Sequence, residues 1–81
     1  MKCNVHTSRK SPSRYLIVPE ARSVASLPPQ VVAEFDTPSW KTIKIENRLI
    51  GLNSSEAKKD IIAQGYHIAL TEVLFEEDIV P

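Results

Sequence analysis

The chain has 81 residues, a formal net charge of zero and an apolar share of 42%, ordinary for a globular protein. This length supports one small domain that buries about 60% of its unfolded surface. No apolar run approaches the roughly 18 residues of a membrane span, so a transmembrane helix is excluded.

From the N-terminus, Lys2-Cys3-Asn4-Val5-His6 alternates, with Cys3 and Val5 on one face, and predicts a first strand. Ser8 to Ser13 has the composition of a turn. Tyr15-Leu16-Ile17-Val18 is a continuous apolar run ended by Pro19, the pattern of a strand covered on both faces. The short turn makes these two strands an antiparallel hairpin. Glu20 to Ser26 reads as a connector. Pro28-Pro29 then places a helix start near Pro29, where the fixed φ of proline suits the first turn. Val31, Val32 and Phe35 give that helix a short apolar stripe, and Thr37-Pro38 ends it.

Trp40 to Ile45 alternates as a third strand, with Ile43 and Ile45 on the face opposite Trp40. Glu46-Asn47-Arg48 reads as a turn, and Leu49 to Leu52 leads into the best-defined unit of the chain. Asn53 is a good N-cap with Glu56 three residues on, the spacing of a capping box. Ala57 and Ile61 share a face, which Ile62 widens. Gly65 stands where a left-handed residue closes the helix. Tyr66 to Leu70 then alternates, with Tyr66, Ile68 and Leu70 on one side of a pleat. Beyond it the chain turns acidic. Val73 to Glu77 suits a last helical turn, and residues 71–81 read as a flexible acidic tail.

The resulting order is β-β-α-β-α-β in a single α/β domain over residues 1–81. Crossovers through the two helices would join parallel strands, so the expected sheet has four strands and is mixed. Cys3 is the single cysteine, which rules out an internal disulfide and fits a reducing compartment. With no apolar leader after Lys2, the protein is expected in the cytoplasm.

Several residues at fixed spacing resemble the YcgL family of small bacterial proteins. They are Met1, Cys3-x-Val5, Ser8-x-Lys10, Tyr15-Leu16-x-Val18, Ser26-Leu27-Pro28, Val31, Phe35-x-x-Pro38, Leu49 and the helix leading to Gly65-Tyr66. The first 38 positions align with the family pattern without a gap, and the similarity reaches about residue 70. The resemblance implies an α/β/α sandwich and no assigned biochemical activity. The chain departs from the pattern at His6, where an aromatic is usual, and at Asp36, where glycine is usual. Ala69-Leu70-Thr71 replaces a polar residue followed by prolines.

The chemistry-bearing residues are few. Cys3 and His6, three apart on a strand, point to opposite faces and cannot act as nucleophile and base. Cys3 therefore reads as a buried small hydrophobe. Cys3, His6 and His67 supply at most three of the four ligands a structural zinc needs, and both histidines are expected at strand surfaces. Glu76-Glu77-Asp78 is a solvated run rather than a cleft. Two glycines leave no Gly-rich phosphate loop. No catalytic residue, cofactor or metal is expected.

Charge is nevertheless segregated. Residues 1–24 hold Lys2, Arg9, Lys10, Arg14 and Arg22 against Glu20, a balance of +4. Residues 53–81 hold six carboxylates against Lys58 and Lys59, a balance of −4. The plain reading is mutual attraction of the two ends. The sharper one is that Arg9, Lys10 and Arg14, set among serines on a tight turn, contact phosphate oxygens. Tyr15 and Trp40 could stack on a base but read first as structural. The expected function is a non-enzymatic binding or adaptor module that docks on another protein. The alternative is an RNA-associated accessory protein using the turn at residues 8–14.

Overall fold

The computed structural model describes residues 2–45 and 53–70 of the chain. They form β1 (Lys2–Thr7), β2 (Arg14–Pro19), a 3-10 turn (Val24–Ser26), α1 (Pro29–Phe35), β3 (Ser39–Lys44), α2 (Ser54–Gln64) and β4 (His67–Leu70). The four strands make one sheet in the order β3-β1-β2-β4, and each neighbouring pair is antiparallel. The described chain is thus a small compact α/β domain with a four-stranded antiparallel sheet and two helices. The expected turn at Glu46–Arg48, the lead-in Leu49–Leu52 and the acidic stretch 71–81 lie outside the described residues.

The antiparallel sheet corrects the expected mixed one, for a topological reason. β2 and β3 both run opposite to β1, so the α1 connection does join two strands of the same direction. β1 lies between them, however, and no parallel pair is hydrogen-bonded. β4 then enters on the far side of β2, opposite in direction to it.

β2 carries the core. Its residues Tyr15, Leu16, Ile17 and Val18 are all buried, and their alternation feeds two separate clusters. Tyr15 and Ile17 join Cys3, Val5, Ile43 and Ala69 of the other strands, Ile45 just after β3, and Ala57 and Ile61 of α2. Leu16 and Val18 join Leu27, Val31 and Phe35. A run apolar at every position is what a strand covered on both faces requires. Val5 opposite Ile17 and His6 opposite Leu16 set the register that keeps the two sets apart.

α2 begins and ends as its sequence dictates. The Asn53 side-chain oxygen accepts from the Glu56 backbone N–H at 3.1 Å. Gly65 has φ +91, and its N–H donates to the Ile61 carbonyl at 2.9 Å. A Cβ at Gly65 would stand 2.9 Å from the guanidinium carbon of Arg22, an exposed side chain that can move aside, so it is the left-handed backbone that calls for glycine there. The core stripe is narrower than expected: Ile62 is 82% exposed, because a step of 100° from Ile61 turns it away from the sheet. Asn53→Ala is expected to cost about 1 kcal/mol through the lost cap. Ile62→Ala should stay within about 0.5 kcal/mol. Urea titration of the two variants checks both values.

One strand departs from simple alternation. The pairing of β1 with β3 slips between Val5 and His6, since Val5 faces Lys41 but His6 faces Ser39. Trp40 is the extra residue. The bulge brings its ring onto that of Tyr15, with centroids 5.5 Å apart. Trp40 therefore shares the face of Tyr15 and Ile43 instead of opposing it. β4 keeps the expected alternation: His67 and Ala69 are buried on one face, while Ile68 on the other packs partly on the α1-side cluster, as does Tyr66 just before the strand, and Leu70 is 71% exposed.

Candidate functional site

The basic turn is built on Ser8, the first residue after β1. Its Oγ accepts from the backbone N–H groups of Lys10 and Ser11, at 2.9 and 3.1 Å, closing a tight loop. The same hydroxyl donates to Glu34 Oε2 at 2.6 Å. Glu34, on α1, is buried, and it receives Arg14 as well. Arg14 Nε donates to Oε2 at 2.6 Å and its Nη2 to Oε1 at 3.1 Å, a forked pair matched to the carboxylate plane. The Arg14 guanidinium carbon also lies 6.0 Å from the centroid of the Phe35 ring. The Arg9 backbone N–H donates to the Glu34 carbonyl at 2.9 Å, and its guanidinium donates to the Asp36 carbonyl.

The Glu34 carboxyl is consequently held below its ordinary pKa of 4.5. The hydrogen bonds from Arg14 contribute most, followed by that from Ser8, and together with the positive charge of Arg14 and Lys10 they outweigh the opposing effect of burial. His6 and Thr37 close the same end of the molecule. His6 Nδ1 donates to the Thr37 carbonyl at 2.8 Å, and Thr37 Oγ1 donates to the Thr7 carbonyl at 3.0 Å. The β1–β2 turn and the C-terminal end of α1 are thus fastened together.

The structure gives the three expected phosphate contacts unequal positions. Arg14 is engaged by Glu34 and Arg9 by Asp36, while Lys10 is exposed and lends only its charge. Among the described residues, the partners of the basic turn come from α1 and the residue that follows it. Glu34 was the residue missed by sequence reasoning. Its signal is position: Val31, Glu34 and Phe35 share one face of a helix, so an acid falls on the apolar stripe. An acid in that place needs a cation, and the nearest unassigned cations are in the turn.

A second polar arrangement joins α2 to β4. His67 Nδ1 and Asp60 Oδ2 are 2.7 Å apart. His67 is only 8% exposed, as is His6, so both histidines are buried rather than on strand surfaces. Each pays out its ring N–H to an acceptor on a neighbouring element, which is how a buried imidazole is accommodated. A cavity of about 290 Å³ lies alongside, lined by Asn53 and Glu56 of the α2 start and by His67 to Leu70.

Cys3 and His6 fall on opposite faces, Cys3 in the α2-side core and His6 opposite Leu16. Cys3 has no exposed surface. Native protein should therefore react with a thiol reagent far more slowly than urea-unfolded protein; equal rates would remove Cys3 from the core. Among the described residues no three His, Cys, Asp or Glu side chains gather as a metal site. Among them, too, no helix is long and apolar enough to cross a membrane. Comparison with protein-family models, curated proteins and solved structures gave no match for this chain.

Proposed function

We propose that this chain is a non-enzymatic protein-binding module of the cytoplasm, similar to the YcgL proteins, with its helices and sheet layered as an α/β/α sandwich. The observation that supports this reading is the commitment of the basic turn to the fold. Arg14 donates twice to buried Glu34, and Arg9 donates one guanidinium N–H to the Asp36 backbone carbonyl. A phosphate would have to displace Glu34 before gaining Arg14, the cation most firmly held in the turn. What the described surface offers instead is an outer strand on each side of the sheet, β3 and β4, each with a single strand neighbour. Such edges are ready-made templates for another chain.

The test separates protein from RNA. Affinity purification from the native host, with and without nuclease, should return a protein partner that survives both nuclease and raised salt. In parallel, anisotropy of a fluorescent single-stranded RNA should give the same weak signal for the parent and for Arg9→Ala/Lys10→Ala. Each phosphate contact contributes about −0.7 to the slope of log K against log salt. A parent slope that the double variant reduces by about 1.4 would replace the protein-binding reading with the RNA one. Arg14 is left intact in this test, because its removal would strand Glu34.

A further inference from the structure

We draw no further inference here: the strongest candidate, the apolar strip of Val32, Tyr66, Ile68 and Leu70 on the α1 side of the sheet, is only partly covered among the described residues, and nothing in the structure shows what covers the rest.

Discussion

Phe35→Ala is expected to bring the protein to the verge of unfolding. Phe35 is fully buried and is the largest side chain in its cluster, closing the α1 side of the sheet against Leu16, Val18, Leu27 and Val31. Truncating a buried phenylalanine costs about 3–5 kcal/mol, from lost transfer free energy and from the cavity left behind. At about 0.05–0.15 kcal/mol per residue, a chain of 81 residues has roughly 4–12 kcal/mol of stability in total. One substitution therefore removes a large fraction of it. Phe35→Leu keeps most of the apolar volume and should lose distinctly less. Urea denaturation followed by circular dichroism reads the ordering parent, Leu, Ala. A loss below about 1 kcal/mol for Phe35→Ala would mean that the α1-side cluster is not a packed core.

That cluster shows which parts of the fold were legible in the sequence. The unbroken apolar run Tyr15 to Val18 announced a strand with two covered faces, because no half-solvated strand places Leu16 and Ile17 in succession. Asn53, Gly65 and Pro29 marked helix ends through local geometry that depends on few neighbours. The failures were non-local. The insertion of β1 between β2 and β3 depends on which edge the chain reaches after α1, and nothing within either strand encodes that. The bulge at Trp40 arises from the pairing of two strands, so alternation within β3 alone put the ring on the wrong face. Ile62 looked like core because it adjoins Ile61, yet one helix against one sheet buries a stripe narrower than two successive residues.

The site was legible only in part, and for a related reason. Composition drew attention to the basic turn, but exposure had been assumed for all three of its cations. The buried carboxylate that answers Arg14 sits twenty residues further on, in another element. Asp60 and His67 are closer in sequence but belong to a helix and a strand separated by the Gly65 stop. Charge patterning along the chain identifies the groups available, whereas their pairing follows from packing.

Glu34 carries the second large effect, and it is one that pH reveals. Glu34→Ala leaves the Arg14 fork and the Ser8 hydroxyl without their shared acceptor and is expected to cost about 2–4 kcal/mol at neutral pH. Arg14 remains 35% exposed and can turn to water, which holds the cost below that of a fully sealed pair. Glu34→Gln keeps the shape and removes the charge, and should cost about 1–2 kcal/mol. Because the folded-state pKa lies below the ordinary 4.5, the unfolded chain binds the proton first as pH falls. Stability from this group is therefore complete above about pH 4.5 and is lost as pH drops through the depressed folded value. The gap between parent and Glu34→Gln should accordingly be widest near neutrality and close in acid, where the parent's own carboxyl becomes neutral. Urea midpoints measured from pH 7 down to about pH 3 read that convergence. A gap that stays constant across the range would mean that the Glu34 charge does not hold the turn, and Arg14 would again be free for an anion. Convergence would mean that the cation best placed to meet a phosphate is already bound within the fold, and that the docking surface lies elsewhere.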